Sequence, residues 1–414
     1  MPDSGGFMDF DVFFSISQTP VGGHMPSEGQ MFENFFHQVE AADRLGFGIA
    51  WIAESHFSSQ TQKSHKNPVV PHWEGEIGLN VDWLHLANHV FRRTSRIEVG
   101  AAIMNVLCNG GPIPAAEKVA YFTALHGLDP AESRRIHAGF AAGRFDFMNR
   151  VTGVVPRNAA EERAGRVWKG KVFEQAAEIF VRLLQGETLD TSKLSRVHMS
   201  RADFRSDEDW AAVQAAAESD ADTIEIAPFW DFEATRIIPA EFRRELLQLI
   251  IGSHDPALQE RVNSWAPVRV FNLSITQPDI IEDTHRRLSE AYHPTGGAWQ
   301  RGYMPRTTFV FLNEEPGLSK EERRAAARAE AASANEAYFK ALTSTIDPNR
   351  IEKAAHNALV GDAEDVADQI LARFHPEDRL MLWFDFFNHD SDRVVRNMEA
   401  FMEKVAPRVR EALA

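Results

Sequence analysis

The side chains best suited to proton transfer are Glu54 and His56, which stand at the end of the apolar run 48–55. A histidine whose pKa is near neutrality can take up or release a proton in a reaction. We therefore treat Glu54 and His56 as candidate catalytic residues. The alternative for His56 is a structural role, in which it orients the loop or packs against its neighbours.

A turn at Gly252 and Ser253 has the features of a phosphate site. It follows an apolar run and precedes a helix start marked by Asp255 and Pro256. The first backbone N–H groups and the positive end of the helix dipole favour a phosphate there. Glycine permits close approach of the backbone, and the serine hydroxyl can donate. The alternative is that Ser253 or Asp255 only caps the helix.

Two basic residues are candidate partners for the same anion. Arg144 lies in the loop after the run 135–142, where its guanidinium could bind a phosphate. Lys171 is a weaker candidate for the same role. Either residue could instead lie at the surface without a ligand.

The histidines and the cysteine predict no metal site. His85 and His89 have the i, i+4 spacing of metal ligands, but no glutamate lies between them. We expect them to pack or to face solvent. The single cysteine, Cys108, excludes an intrachain disulfide framework and any cysteine-based zinc or iron–sulfur cluster. A lone thiol also suits a reducing cytosol.

The charge of the chain argues against nucleic acid and membrane partners. The 414 residues include 60 acidic and 44 basic side chains, for a net charge of −16. Such a surface repels phosphate backbones and anionic lipids, and the basic residues form no cluster. No signal sequence or membrane-spanning run is apparent. The sequence thus predicts a cytoplasmic protein.

Eight short runs rich in β-branched and aromatic residues alternate with helical segments of 3.6-residue periodicity. Several runs are apolar throughout, which is typical of parallel strands covered on both faces. An eightfold alternation of strand and helix predicts an α/β fold, a (β/α)8 TIM barrel, rather than an open doubly wound sheet. The runs are 11–17, 48–55, 97–106, 135–142, 246–253, 268–276, 307–313 and 379–387.

Two connections exceed ordinary loop length. They span about 56–81 and 187–245. Long insertions in a compact fold are usually lids or binding loops. We interpret both as covers of the strand ends. Aromatic residues near the presumed strand ends favour an apolar substrate; these residues are Phe57, Trp73, Phe229, Trp230, Trp299, Tyr303 and Phe387.

Four segments, in order, resemble the bacterial luciferase-like, flavin-dependent monooxygenases. The segment 40–57 resembles the first helix and second strand of that family. The segments 94–120 and 135–153 are similar to its third and fourth strands with the turns that follow, and 357–371 is similar to the helix before its last strand. These segments are EAADRLGFGIAWIAESHF, TSRIEVGAAIMNVLCNGGPIPAAEKVA, RIHAGFAAGRFDFMNRVTG and NALVGDAEDVADQIL.

This resemblance implies a single luciferase-like TIM-barrel domain over residues 1–414 that binds reduced FMN. It also implies a two-component monooxygenase, in which a separate flavin reductase supplies the reduced FMN and O2 oxidises an apolar organic substrate. Gly252, Ser253 and Arg144 would hold the FMN phosphate. Ala102 and Asn105 would line the isoalloxazine ring, Ala102 by leaving space and Asn105 through its amide. A local structural role for Asn105 is the alternative. The helices after the second and third strands could pair two copies as a homodimer.

The sequence departs from the luciferase pattern at two positions, one of which is the missing reactive cysteine near the fourth strand. Luciferases have two adjacent histidines after the glutamate, whereas this chain has Ser55 followed by His56. Light emission is therefore not expected. Three alternatives stay open: hydride transfer with the deazaflavin F420, a flavin-sensing protein without catalysis, and a metal-dependent barrel hydrolase. The hydrolase would need ligands such as Asp385, Asn388 and His389 together with Glu54 and His56.

Overall fold

Eight parallel strands form where the apolar runs of the sequence lie. The computed structural model of the protein describes residues 8–66, 68–272, 276–342 and 356–414. Each strand overlaps one predicted run, although residues 273–275 of the sixth run lie outside the described residues. The eight barrel strands are β1 (Asp9–Phe14), β2 (Ile49–Ile52), β3 (Glu98–Ala101), β4 (Ile136–Ala141), β5 (Leu247–Ile251), β6 (Val268–Val270), β7 (Arg306–Leu312) and β8 (Arg379–Trp383). Two short parallel strands join the same sheet, Met104–Asn105 beside β4 and Leu359–Gly361 beside β7.

The strands close into a ring. Strand β1 pairs with β2 and with β8, and each later strand pairs in parallel with the next one along the chain up to β6. Strand β7 pairs in parallel with β8. A parallel bridge between Asn272 and Arg306 spans the remaining gap between β6 and β7. The predicted (β/α)8 barrel is therefore confirmed.

Helices surround the ring, and a side-chain N-cap marks the start of several of them. Ser27 accepts a hydrogen bond from Gln30 at the start of the first helix, and Gly46 ends it in the left-handed conformation with φ of 87°. The helices are α1 (Glu28–Leu45), α2 (Ser59–Gln62), α3 (Trp83–Arg93), α4 (Pro112–His126), α5 (Asp146–Val151), α6 (Ala159–Ala164), α7 (Arg166–Leu184), α8 (Asp207–Ala216), α9 (Pro256–Val262), α10 (Pro278–Ala291), α11 (Lys320–Leu342), α12 (Ala363–Arg373), α13 (Ser391–Ala400) and α14 (Ala406–Leu413).

The inside of the barrel has an apolar middle layer. Side chains from alternate positions of five barrel segments meet there and form one buried cluster. Towards the carboxyl ends of the strands, Ala53, Ala102 and Ile103 pack against this layer. The layer thus forms the floor of the carboxyl-end rim. Its buried members are Phe13, Ile49, Trp51, Ile250, Phe271 and Met381.

Below the apolar layer, at the amino ends of the strands, lie buried charges with partners. The carboxylate of Asp11 accepts hydrogen bonds from the backbone of Ile49, from Nε1 of Trp51 and from Arg379, at 3.1, 2.8 and 3.0 Å. Burial raises the pKa of Asp11 to about 6, and the Arg379 charge and the Trp51 N–H oppose that rise. Polar groups at this end of the barrel hold the structure together.

The two insertions differ in where they pack. The first, 56–81, turns back to the barrel mouth, where Gln18 and Leu79 form backbone hydrogen bonds with Glu76 and Ile16. The second, 187–245, contains a two-stranded antiparallel sheet of Val197–Ser200 and Thr223–Ile226, which are connected through α8. This small sheet contacts the outer helix α7. The first insertion therefore covers the strand ends, and most of the second lies along the outer helices.

The close packing of β2 against β3 generates a stability prediction. Gly100 pairs with Trp51, and a Cβ atom at position 100 would lie 2.4 Å from Cε3 of that indole. We expect Gly100→Ala to lower the free energy of unfolding by about 3 kcal/mol, because the buried indole must move. Urea denaturation followed by circular dichroism measures this change.

Gly170→Ala is the matched control. Gly170 lies in α7 with no atom within 4 Å of the added Cβ. The same chemical change there should stabilise the protein by up to about 1 kcal/mol, since alanine favours helix more than glycine does. Equal urea midpoints for the two variants would contradict this account of the packing.

Candidate active site

Glu54 and His56 are joined directly in the structure. Nε2 of His56 lies 2.9 Å from Oε1 of Glu54, and the two side chains are 12% and 1% exposed. The same Oε1 accepts hydrogen bonds from the backbone N–H of Asn105 at 3.1 Å and from Nδ2 of Asn109 at 2.8 Å. The other oxygen of Glu54, Oε2, is buried and has no hydrogen-bond partner in the described part of the chain.

Asn105 uses its side-chain amide to build the loop after β3. Its Nδ2 donates to Oδ1 of Asn149 at 2.7 Å, and its Oδ1 accepts from the backbone of Leu107 and Cys108. Asn149 in turn donates to the carbonyl of Ala142 at 2.8 Å. These bonds connect the ends of β3 and β4. They favour the structural alternative for Asn105, and its contact with a ring stays a prediction.

The ends of β3, β4 and β5 converge on small residues. The peptide bond between Ala102 and Ile103 is cis. A Cβ atom on Gly252 would lie 2.4 Å from Cδ1 of Ile103 and 3.2 Å from Cβ of Ala141. A side chain at position 252 would therefore have to displace the end of the Ile103 side chain, whether or not a ligand approaches. Ala102 and Gly252, both candidates from the sequence, each lie at a strand end of the same rim.

The turn after β5 has internal hydrogen bonds. Oγ of Ser253 accepts from the backbone N–H of Asp255 at 3.2 Å, and the Ser253 carbonyl accepts from Gln259 at 2.6 Å. Asp255 caps α9 through Ala257. Both proposed capping residues thus act at the start of this seven-residue helix. The predicted phosphate role of Ser253 would come in addition to this local one.

The two basic candidates are in different surroundings. Arg144 is exposed at the rim, and its guanidinium lies 5.2 Å from the ring centre of Phe145. Nζ of Lys171 lies 2.9 Å from a carboxylate oxygen of both Glu174 and Asp203. These partners raise the pKa of Lys171 against the effect of its burial. The contacts of Lys171 favour a structural role, whereas Arg144 has no ion pair among the described residues.

An aromatic cluster lies beside the carboxyl ends of β7 and β8. Its rings pack with centre-to-centre distances from 4.1 to 6.4 Å. Val70 of the first insertion and Leu342 of α11 pack over its outer part. The rim is therefore apolar and covered on this side. The aromatic cluster consists of Trp73, Phe309, Tyr338, Trp383, Phe386 and Phe387.

The prediction that Trp299 and Tyr303 lie at the carboxyl ends of the strands is wrong. Trp299 and Tyr303 precede β7, so they lie at the amino ends of the strands, below the apolar layer. The ring of Tyr303 lies 3.8 Å from the guanidinium carbon of the buried Arg269. These aromatic side chains help to close the base of the barrel.

The carboxyl group of Asp385 follows β8, and one of its oxygens makes no hydrogen bond in the described structure. Oδ1 of Asp385 and Nε1 of Trp383 are buried, and neither has a hydrogen-bond partner among the described residues. Burial raises the pKa of Asp385 to about 7, and the nearby indole N–H of Trp383 opposes only part of that rise. The carboxyl group is therefore about half protonated at pH 7 and mostly protonated below that pH.

Comparison with known proteins identifies the family. A family model described as luciferase-like monooxygenase matches residues 8–376. The chain belongs to the luciferase-like monooxygenase family. No curated protein matches the sequence.

Solved structures share the fold of this luciferase-like protein. The monooxygenase RslO1 from Streptomyces bottropensis superposes with a TM-score of 0.66 at 18% identity, over 97% of this chain and 99% of that one. The oxygenating constituent of 3,6-diketocamphane monooxygenase from Pseudomonas putida, in complex with FMN, gives 0.55 at 14% identity, over 97% and 99%. An F420-dependent secondary alcohol dehydrogenase in complex with an F420-acetone adduct gives 0.56 at 13% identity, over 98% and 99%.

Three further features can be checked in the described structure: a metal-ligand group, a reactive cysteine and a membrane-spanning helix. Among the described residues, no three His, Cys, Asp or Glu side chains form a group that could hold a metal ion. Burial raises the pKa of the Cys108 thiol to about 12, so it stays protonated. In the described parts of the chain, no helix has the length and hydrophobicity needed to cross a membrane.

Sequence reasoning missed three members of the rim. Asn109 and Asn149 are bonded to Glu54 and Asn105, but nothing in their local sequence distinguishes them from other loop asparagines. Asp385 was considered only as a metal ligand. Its alternation with Met381 and Trp383 along one strand was the available signal that it points inward.

The surroundings of Lys171 generate a second prediction. We expect Lys171→Met to lower the free energy of unfolding by roughly 1 to 3 kcal/mol, because Glu174 and Asp203 lose a half-buried cation. Flavin affinity should be unchanged within about twofold if the lysine is structural. Urea denaturation and flavin titration of the same preparation measure the two quantities.

Lys340→Met, at an exposed position of α11, is the control for the change of residue type. It should alter neither quantity. A loss of flavin affinity in Lys171→Met without a loss of stability would instead support the phosphate role.

Proposed function

We propose that this protein is the oxygenase of a two-component system that uses reduced FMN and O2 to oxidise a small, apolar organic substrate. Membership of the luciferase-like monooxygenase family supports the reaction class. The FMN complex of the similarly folded 3,6-diketocamphane monooxygenase supports the choice of cofactor. The reduced flavin would come from a separate flavin reductase.

The observation that carries this proposal is the polarity of the rim above the apolar layer. Ala102 is a small residue that packs against this layer, and the apolar surface suits a flat aromatic ring. The buried Oε2 of Glu54, which has no partner among the described residues, is available to accept a hydrogen bond from a ring N–H. These residues fit an isoalloxazine ring.

The polar end of the cofactor would lie at the loops after β4 and β5. Arg144 supplies an exposed cation with no competing carboxylate in the described structure, and Ser253 supplies a hydroxyl. A guanidinium and a hydroxyl are suitable partners for a phosphate. The neighbouring segment 143–146 is held by Lys169, which donates to the carbonyl of Gly143 at 3.2 Å.

His56 is arranged to take up a proton. Because its Nε2–H donates to Glu54, the lone pair of the neutral ring lies on Nδ1. Among the described residues, Nδ1 has no hydrogen-bond partner, so it can accept a proton from a ligand. Glu54 orients the imidazole and stabilises the charge that forms. Bound reduced FMN would supply the electrons that activate O2.

The first insertion would keep water away from the flavin. The carboxylate of Glu76 accepts hydrogen bonds from the side chains of Ser58 and Ser59, at 2.6 and 2.9 Å. These bonds join the two ends of the insertion to each other, and backbone hydrogen bonds from Gln18 to Glu76 and from Leu79 to Ile16 attach it to the segment after β1. A dry site protects a reactive cofactor from unproductive reactions with solvent.

Anaerobic titration with reduced FMN and with reduced F420 tests the cofactor assignment. We expect at least about tenfold tighter binding of reduced FMN. We also expect Arg144→Ala to weaken FMN binding about tenfold, because a charge-assisted contact to the phosphate is lost. Arg150→Ala, at an exposed position of α5, should leave the affinity unchanged.

Preference for F420 would overturn the FMN assignment and favour hydride transfer, the reaction type that the F420-dependent neighbour suggests. Equal effects of the two arginine substitutions would remove Arg144 from the phosphate site. Failure to bind either cofactor would overturn the proposed function itself.

We further propose that the protein forms a homodimer through α4. Tyr121, Leu125 and Leu128 follow one another at four- and three-residue spacing and are 58%, 51% and 74% exposed. Ile238 is 70% exposed, and its N–H donates to Glu117 of α4 at 3.4 Å. A contiguous exposed apolar surface of this kind marks an interaction site.

Leu125→Glu should convert the dimer to a monomer, because an unpaired carboxylate would be buried at the interface. Sedimentation velocity measures the change. Val151→Glu is the control, since Val151 is also exposed at 57% but lies outside this surface. A monomeric wild-type protein would refute the assignment.

A further inference from the structure

Strand β8 points one series of side chains into the barrel. Met381 belongs to the apolar layer, and Trp383 packs against Phe13 of β1 at a ring distance of 4.5 Å. Side chains two residues apart on a strand lie on the same face. Asp385 comes two residues after Trp383, where β8 has ended. Its carboxyl group therefore stands above the indole, beside the aromatic cluster.

The polar atoms in this part of the rim are donors that lack acceptors. Nε1 of Trp383 and Nε1 of Trp73 are buried, and neither makes a hydrogen bond of normal geometry in the described structure. The Trp383 N–H is nevertheless close enough to Asp385 to lower the pKa of its carboxyl group. Asp385 retains its proton to about pH 7, so below that pH it adds an O–H donor. Buried polar groups are normally satisfied, because an unpaired group costs roughly 1 to 3 kcal/mol. A ligand with an acceptor atom would remove this cost.

The charged groups on the elements around Asp385 are already paired with one another. Glu330 of α11 forms an ion pair with Arg393 and accepts from Asn388 at 3.2 Å. His389 lies 2.7 Å from the carbonyl of Thr19. Glu54 and His56, beyond β1, are paired as described above. Among the described residues, none of these groups forms an ion pair with Asp385.

We propose that Asp385 and Trp383 form a subsite that binds the acceptor oxygen of a neutral, apolar substrate such as a ketone. This inference rests on the proposed function, because it places the substrate beside the proposed flavin site. The aromatic cluster would hold the hydrocarbon part. The two donors would determine where the oxygen lies.

The chemistry of the subsite excludes anionic substrates of the same size. A carboxylate would place a full charge in an aromatic environment where no described cation acts on Asp385, and the desolvation of that charge is costly. A neutral carbonyl brings only its lone pairs. Above pH 7 the ionised Asp385 repels those lone pairs, so binding should weaken as the pH rises.

Binding of cyclohexanone and of cyclohexanecarboxylate to the flavin-free protein tests the proposal. Ligand-observed NMR titration would measure both affinities between pH 5.5 and 8.5. We expect cyclohexanone to bind more tightly than the carboxylate, and its affinity to fall about tenfold as the pH rises through 7. Asp385→Ala should weaken ketone binding about tenfold at pH 6.

Asp385→Asn separates this role from a structural one. The amide retains a donor but cannot ionise, so its ketone affinity should stay within about threefold of the wild-type value at pH 6 and lose its pH dependence. Asp392→Asn, at an exposed position of α13, should keep the wild-type profile. Circular dichroism verifies the fold of each variant.

Several results would overturn the subsite. They are a pH-independent ketone affinity in the wild-type protein, an unchanged affinity in Asp385→Ala, a preference for the carboxylate, and binding of neither probe. Because no flavin is present in these titrations, their outcome is independent of the cofactor measurements. If ketone binding confirms the subsite but FMN does not bind, the subsite stands and the proposed monooxygenase function fails.

Discussion

The candidate site depends on one geometric constraint: in a closed parallel barrel, the carboxyl ends of all strands lie on the same rim. The bridge between Asn272 and Arg306 completes the ring. As a result, Glu54 after β2, Gly252 after β5 and Asp385 after β8 share one end of the barrel although they are distant in sequence. An open sheet would distribute these loops along an edge.

The buried carboxyl groups at the two ends of the barrel differ in their hydrogen bonding. Asp11 and Asp385 both have pKa values raised by burial, to about 6 and about 7. Asp11 has three donors around it, so its hydrogen-bonding capacity is largely used within the protein. Asp385 has a buried oxygen with no partner in the described structure. Satisfied polar groups stabilise the base, whereas unsatisfied ones at the rim are available to a ligand.

Some candidate residues have local roles that account for their identity without a ligand. Gly252 packs closely against Ile103, and the amide of Asn105 is bonded to Asn149. Lys171 is held by two carboxylates. Residue type and position in a loop were visible in the sequence, but the partners of these side chains come from other strands and helices. The local sequence pattern therefore predicted which residues lie at the rim better than it predicted what each of these residues does there.

The sequence by itself determined the barrel, because strand and helix periodicities are local and eight repeats leave few topologies. It also determined the family and placed Glu54 and His56 at a strand end. Only the tertiary structure decided that Glu54 holds His56, that Trp299 and Tyr303 belong to the base, and that Oδ1 of Asp385 has no hydrogen-bond partner among the described residues. Hydrogen bonding and burial are set by neighbours that are distant in sequence, so their consequences for pKa appear only when the chain is folded.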